Sequence, residues 1–359
     1  MKIGKATKKY ETWLAKRTIL IKSDLDLKHR LMAKDPFLFL RGTFYRWMQV
    51  LTDTLPDLSR APEVLAIGDL HVENFGTWRD IEGRLIWGVN DFDESYSLAY
   101  TNDLVRLAVS ANLAVPTKHL AIKFEDACES ILTGYVKGLR TGGEPFVLEE
   151  NHEWLRDIAT GELRDPTHFW AKVNALSAIR ANIPKGAKRA LESSLPEPDL
   201  PYKLTHRVSG LGSLGRERFM AIADWDGGKI ARETKPVTSS AWLWANGDKG
   251  YKHIFYENII ANSKRAPDPF LKVRGRWIVR RLAPLCTRIE LTTLPKKRDE
   301  KHLLQAMGFE TANIHLGSRT AIKAVLRDLT KRKSGWLNSA AEKMTDCVMK
   351  DWEEWRSRA

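Results

Sequence analysis

The sequence is poor in cysteine and has no long apolar run. Its three cysteines, Cys128, Cys286 and Cys347, are scattered without disulfide or metal-ligand spacing, which argues against a disulfide framework or a zinc site. No apolar stretch approaches the roughly 20 residues that span a bilayer. The first residues, MKIGKATKKYETW, are too polar for a secretory signal. We therefore expect a cytoplasmic protein with free thiols and no membrane partner.

Internal repeats and low-complexity tracts are also missing, whereas length and positive charge are abundant. The 359 residues, of which 43% are hydrophobic and 29% charged, predict a soluble globular protein of two or three lobes. The net charge of +13 indicates a solvated basic surface, a phosphate-rich ligand or nucleic acid. Nucleic acid is the least expected partner, because the basic clusters KKR (296–298) and KRK (331–333) are short.

Hydrophobic spacing divides the chain into four regions. Pro36 suits the first turn of a helix, PFLFLRGTFYRWMQVLTDTL, and two short strands follow, EVLAIGD and RLIWGVNDFD. Three prolines in SSLPEPDLP mark a boundary before a β-rich stretch. The predicted regions are 1–60 (N-terminal helices), 61–200 (the rest of a helical lobe), 201–285 (a small antiparallel β lobe) and 286–359 (C-terminal helices).

The β-rich stretch contains the motif GLGSLG, residues 210–215, which alone is a weak signal. The alternating apolar residues of RERFMAIADW predict that a strand follows the glycines. Strand, glycine loop and strand is the arrangement that covers nucleotide phosphates in protein kinases, whereas a dinucleotide site needs a helix after the glycines. Gly210, Gly212, Ser213 and Gly215 are therefore candidate phosphate-binding residues, and an ordinary glycine-rich hairpin is the alternative.

Lys235 lies in the next predicted strand, IARETKPV, twenty positions after Gly215. In a protein kinase such a lysine pairs with the nucleotide phosphates and with a helix glutamate. The helix predicted at about 249–263 offers Glu257. Taken singly, each residue is more simply a solvated surface charge, but the order of glycine loop, lysine strand and acidic helix favours a nucleotide site.

Two acidic stretches far from the glycine loop supply the remaining candidates, GDLHVENFG and NDFDESY. Asp69 is the candidate base and Asn74 and Asp91 are candidate magnesium ligands, because a magnesium ion shared with phosphates needs few protein oxygens. Asp93 is a further candidate ligand, and His71 a candidate catalytic residue. The alternative is a set of polar turn residues.

Four other charged residues are candidates for structural or phosphate-binding roles. Asp103 is expected to cap the helix TNDLVRLAVSANLAV and to brace the backbone near Asp69. Arg41 is either a phosphate contact or part of a structural ion pair. One of Arg280 and Arg281 should face the cleft, and strand parity does not say which.

The segments GDLHVENFG, NDFDES and DLVRLAVS resemble the aminoglycoside phosphotransferase and choline kinase branch of the kinase-like folds. Within it the chain is most similar to a bacterial family catalogued as domain of unknown function 2252, with shared motifs from position 39 to about 320. These include FLRG, GLGSLG, the Lys235 strand and RRL (280–282). The family has an acidic residue directly after the strand lysine, where this chain has Pro236. The segment ANIHLGS lacks the glycine and the acidic residue that follow it in the family, so no role is carried over to His315.

The resemblance implies a two-lobed α+β, protein-kinase-like fold in which the catalytic half precedes the glycine loop, the reverse of ordinary kinases. Such a circular permutation is physically permissible; an unrelated β domain at 203–285 is the alternative. The expected function is magnesium-dependent transfer of a phosphoryl group from ATP to a small-molecule or protein acceptor. The alternatives are AMP transfer, nucleotide binding without catalysis and, less expected, nucleic-acid binding.

Overall fold

Helices and antiparallel sheets make up the protein, which we describe from a computed structural model. Helices account for 49% and strands for 17%, so the mixed α+β class is confirmed. No helix among the described residues is long and apolar enough to cross a membrane. The described residues are 1–115, 120–149, 151–160, 165–180, 182–247, 254–289 and 299–358.

Five helices open the chain, and the helix predicted from Pro36 is divided into two. The side chain of Asp35 accepts a hydrogen bond from the Leu38 amide (3.0 Å), and Pro36 occupies the first turn as expected. Thr43 interrupts the helix, because its backbone is not helical and its hydroxyl donates to the Phe39 carbonyl (2.7 Å). The five helices are α1 (Ile3–Ala15), α2 (Lys22–Lys34), α3 (Pro36–Gly42), α4 (Phe44–Thr54) and α5 (Pro56–Ser59).

Two small antiparallel sheets place the two acidic loops side by side. Strand β1 pairs with β4, and β3 pairs with β2 on one side and β5 on the other, so the loops 67–74 and 90–95 connect one sheet to the other. At their junction the Asn90 amide donates to the Asn74 carbonyl (2.8 Å). The strands are β1 (Glu63–Ala66), β2 (Phe75–Arg79), β3 (Leu85–Val89), β4 (Tyr96–Ala99) and β5 (Phe146–Val147).

The main core lies among long helices that pack behind these loops. A Cβ atom on Gly134 or Gly308 would overlap the backbone of the facing helix, so glycine permits the close approach of α7 and α13. On the last helix the predicted apolar stripe is confirmed, because its residues are buried or pack against the core. These helices are α6 (Thr101–Ala114), α7 (Phe124–Thr141), α13 (Glu300–His315), α14 (Ile322–Lys331) and α15 (Trp336–Arg356).

A five-stranded antiparallel sheet follows in the order β6-β7-β8-β10-β9. The predicted succession of strand, glycine loop, strand, turn and strand is confirmed. Positive φ angles at Asp226 (46°) and Gly227 (79°) form the turn between the second and third strands. The strands are β6 (Lys203–His206), β7 (Phe219–Trp225), β8 (Gly228–Pro236), β9 (Lys272–Arg274) and β10 (Trp277–Leu282).

Two helices that the sequence grouped with the helical lobe pack instead on this sheet. Val173 of α9 packs with Met220 and Ile222 on one face, and Ala187 of α10 packs with Phe219 and Ala221 on the other. The helix expected at 249–263 begins at Tyr256; its predicted first turn, like the cluster 296–298, lies outside the described residues. The remaining helices are α8 (Glu153–Ala159), α9 (Pro166–Asn174), α10 (Lys185–Glu192), α11 (Ala241–Ala245) and α12 (Tyr256–Asn262).

Candidate functional site

The acidic loop 67–74 is held from behind by Asp103. Its carboxylate accepts hydrogen bonds from the amides of Ile67 (2.7 Å) and Gly68 (3.0 Å), so the expected bracing role is confirmed. The capping role is not: Tyr100 is the N-cap of α6, and Asp103 lies inside the helix and points to the loop. Behind Asp103, His315 bonds to the carboxylate (2.9 Å) and to the Tyr135 hydroxyl (2.8 Å). His315 thus belongs to the buried support of the loop.

Asp69 is paired with Arg106, a residue that the sequence interpretation missed. Arg106 is fully buried, and its Nε and Nη2 both donate to Asp69 Oδ1, the first over 2.8 Å. The rings of Phe44 and Trp47 flank the guanidinium at about 5 Å. Burial raises the pKa of Asp69 although Arg106 opposes the shift. The sign in the sequence was a charged residue inside an otherwise apolar helix, which shows that a partner is needed but does not say which residue it is.

Lys235 lies against the second acidic loop, as the sequence predicts. Its Nζ atom donates to Asp91 Oδ1 (3.0 Å) and to Asp93 Oδ2 (2.7 Å). Burial would raise the pKa of Asp91, but Lys235 and Arg280 outweigh it and hold that pKa below its usual range. Burial and the neighbouring charge of Asp91 raise the pKa of Asp93. Two stretches about 140 residues apart in the chain therefore share one cluster of charges.

Glu257 does not pair with Lys235, and this part of the prediction is wrong. The first turns of α12 bury Tyr256 and Ile259. With 3.6 residues per turn, Glu257 then faces away from the core, and it is exposed. The carboxylates of Asp91 and Asp93 take its expected place beside the lysine.

The strand that holds Lys235 also holds an acidic residue, Glu233, which contacts three arginines. It lies two positions before Lys235, on the same face of the sheet. Its carboxylate accepts from Arg218 (2.7 Å), Arg207 (2.5 Å) and Arg280 (2.9 Å). Burial opposes ionisation, yet the three arginines hold the pKa of Glu233 well below its usual range. Arg280 is thus the member of the Arg280–Arg281 pair that faces the cleft, whereas Arg281 donates to the Arg79 carbonyl on the other side.

The glycine loop, residues 209–215, lies over the first acidic loop. Gly210 and Gly215 have positive φ angles (75° and 98°), which glycine adopts without strain. A Cβ atom on Gly212 would stand 3.4 Å from Asp69 Oδ2, so the two loops face each other closely. Ser213 Oγ accepts from Arg218 (2.6 Å), and the Gly212 carbonyl accepts from Lys28 (3.1 Å).

Asn74 and His71 complete the first loop. The side-chain nitrogen Nδ2 of Asn74 donates to the backbone carbonyls of Asp69 (3.1 Å) and Asp91 (3.4 Å) and so connects the two acidic loops. His71 is buried, and its Nδ1 accepts from the Glu73 amide (3.2 Å). Burial, with Arg41 and Arg106 nearby, holds the pKa of His71 well below its usual range, so its ring is neutral. Arg41 was expected to form either a phosphate contact or a structural ion pair, and the structure shows an ion pair with Glu73.

These elements enclose a cleft of about 370 Å³ between the helices and the five-stranded sheet. Of the described residues that line it, eight are lysines or arginines and five are aspartates or glutamates, so cations are in excess and a polyanion would be attracted. Among the described residues, no group of three or more His, Cys, Asp or Glu could hold a metal ion. The available oxygen donors are instead Asp91, Asp93 and the amide of Asn74.

Fold and site together define a mixed α+β protein with a cation-rich cleft that also holds carboxylates. Residues 20–167 match the model of a family described as "Uncharacterized protein conserved in bacteria (DUF2252)". The resemblance to that family is thus confirmed over less than half of the chain. The matched stretch includes both acidic loops and α6, and it excludes the glycine loop and Lys235. No curated protein and no solved structure matches the chain.

Proposed function

We propose that the protein binds a nucleoside triphosphate, with ATP as the expected species, in this cleft and transfers its terminal phosphoryl group to an acceptor. The observation that carries the proposal is the distance of 3.0 Å between Lys235 Nζ and Asp91 Oδ1. A strand lysine beside a carboxylate at a strand end, under a glycine loop, is the combination that protein kinases use to hold phosphates and magnesium. The proposal includes a kinase-like fold in which the catalytic half comes first in the chain.

The donor set fits a magnesium ion that substrate phosphates complete. Asp91 stays ionised, and Asp93 Oδ1 is buried without a hydrogen-bond partner among the described residues. Magnesium needs only one or two protein carboxylates when phosphates and waters supply the other ligands. Asp91, Asp93 and the Asn74 oxygen would hold the ion, which neutralises phosphate charge when bound. Lys235 would then turn from the two aspartates to the phosphates.

The protein's own residues account for the transfer step. Asp69 would accept the proton of the acceptor hydroxyl while the acceptor oxygen forms a bond to the γ-phosphorus. The bond between the γ-phosphorus and the oxygen that bridges the β- and γ-phosphates would break, which releases the nucleoside diphosphate. Arg106 fixes Oδ1 of Asp69, which leaves Oδ2 on the side of the glycine loop. The arginines around Glu233 lie on the cleft face, where they would stabilise charge on the phosphates.

One observation favours a second candidate, nucleotide binding without phosphoryl transfer. Oδ1 of Asp69 is occupied by Arg106, and a Cβ atom on Gly212 would stand 3.4 Å from Oδ2. If the glycine loop keeps this position with nucleotide bound, it would restrict the access of an acceptor hydroxyl to the carboxylate, whose side chain is 18% exposed. The protein would then act as a nucleotide sensor.

Labelled ATP separates these functions. We expect the γ-label to appear on an acceptor or, without one, on water; the α-label would indicate AMP transfer, and no transfer would indicate binding only. Mg·ATP should raise the melting temperature of the wild type. Lys235→Met should abolish this rise, because Lys235 contacts the cleft carboxylates Asp91 and Asp93. Glu257→Ala should retain it, because Glu257 is exposed on α12. If no nucleotide shifts the melting temperature, the proposal is wrong.

A further inference from the structure

A second cavity of about 310 Å³ lies on the opposite face of the five-stranded sheet. Strand alternation creates it: Glu233 faces the cleft, so its neighbour Arg232 faces the other side. Lys272 and Arg274 of β9 are paired with Val279 and Trp277 and lie on the same face as Arg232. These three cations line the cavity, and no aspartate or glutamate is among the described residues that line it.

Arg232 is the unusual member of this set. It is only 5% exposed, although its guanidinium has no carboxylate partner among the described residues. Its Nε donates to the Ser194 carbonyl (2.9 Å) and its Nη1 to the Ala231 carbonyl (3.1 Å). Nη2 has no such partner in the described part of the chain and stays accessible from the cavity. Burial and the neighbouring Arg281 lower the pKa of Arg232 to about 10, and the charge of Asp268 opposes this shift only in part.

Apolar side chains, two of them aromatic, make up most of the remaining walls of the cavity. The Phe270 ring lies 4.6 Å from the Arg232 guanidinium carbon, and Trp225, which is 36% exposed, stands on another side. Pro196 and Pro269 complete these walls. A guanidinium with free N–H groups matches the paired oxygens of a carboxylate or phosphate, and the rings would contact an apolar body.

We propose that this cavity binds a small organic anion, a carboxylate or a phosphomonoester joined to a flat apolar group. The oxyanion accepts hydrogen bonds from Arg232 Nη2, with Lys272 and Arg274 adding long-range attraction, and the apolar group lies between Trp225 and Phe270. This site is separate from the cleft and does not depend on the function proposed for it.

Calorimetric titration with phenyl phosphate, benzoate and inorganic phosphate tests the site. We expect saturable binding of the two aromatic anions. The one that binds more tightly shows whether the site prefers a phosphate or a carboxylate. Arg232→Met should weaken binding at least tenfold, whereas Lys229→Met, an exposed change in the same strand, should leave it within twofold. Lys235→Met should also leave it unchanged, since Lys235 faces the cleft. Trp225→Ala should weaken binding of the aromatic anions and leave inorganic phosphate as in the wild type.

Because Arg232→Met removes a buried residue, folding is checked by circular dichroism. A double variant at the exposed positions, Lys272→Met with Arg274→Met, should also weaken binding severalfold without any effect on folding. The proposal is overturned if none of the anions binds, or if binding survives both sets of changes. It is also overturned if Lys235→Met, rather than Arg232→Met, removes the binding.

Discussion

The two sides of the cleft rest on apolar cores of different size. On the helical side, Asp69 and Asp103 are fixed by the buried partners Arg106 and His315 inside the main core. On the sheet side, the two apolar clusters that pack on the strands contain seven and five buried residues in the described part of the chain. The glycine loop there is fastened to α2 by contacts such as Lys28 with the Gly212 carbonyl. The helical side is thus preorganised, and the sheet side is the part that can adjust to a ligand.

The largest effect should follow from breaking the buried ion pair of the helical side. Arg106→Met leaves the Asp69 carboxylate without its partner, which should lower the free energy of unfolding by about 3–5 kcal/mol. Chemical denaturation measures this loss. Arg60→Ala is the matched control, because Arg60 pairs with Asp57 at the exposed surface and should cost less than about 1 kcal/mol. Equal losses in the two variants would mean that the helical side is not preorganised by Arg106.

The next effect concerns Glu94, which lies between the two sides near Arg216. Burial raises the pKa of Glu94 to about 7, so the folded protein holds this proton more tightly than the unfolded chain. The stability that the proton contributes is complete below about pH 4.5 and should be lost between about pH 4.5 and 7, on the order of 3 kcal/mol. Unfolding measured against pH should show this slope in the wild type and a smaller one in Glu94→Gln. Identical slopes would contradict the assignment.

A moderate effect should follow from a methyl group in the glycine loop. Gly215 has a φ angle of 98°, and a Cβ atom there would overlap Leu25 of α2. Gly215→Ala should therefore lower the free energy of unfolding by about 2 kcal/mol, and it should weaken nucleotide binding because the loop is displaced. Gly228→Ala is the control, since a Cβ atom at that position meets nothing within 4 Å. Equal effects of the two changes would show that contact with α2 does not fix the loop.

The smallest effect should follow from removing Glu257. The Glu257 side chain is exposed, and Lys235 pairs with Asp91 and Asp93 instead. Glu257→Ala should therefore change nucleotide affinity by less than about twofold and the free energy of unfolding by less than about 0.5 kcal/mol. Titration calorimetry and denaturation check the two values. A tenfold loss of affinity would mean that the lysine changes partner when nucleotide binds.

The sequence was most informative where local pattern decides structure. Alternating apolar residues and the Asp226-Gly227 turn predicted the strands around the glycine loop, and Lys235 was correctly expected near Asp91. Glu257 was misjudged because the partner of a lysine depends on where α12 begins, which spacing does not fix. Glu233 and Arg106 were missed because a charged residue in a strand or an apolar helix has no visible partner until the elements pack. The packing of α9 and α10 on the sheet is equally a product of tertiary contacts.

The central claim is that Asp91, Lys235 and the glycine loop close over one triphosphate. A crystal structure with a non-hydrolysable ATP analogue and magnesium tests it most directly. The account predicts phosphate density between residues 209–215 and Asp69, with Lys235 moved from Asp91 to the phosphates and a metal ion at Asp91 and Asp93. Phosphate density elsewhere on the protein, or an unchanged Lys235–Asp91 pair beside bound nucleotide, would contradict it.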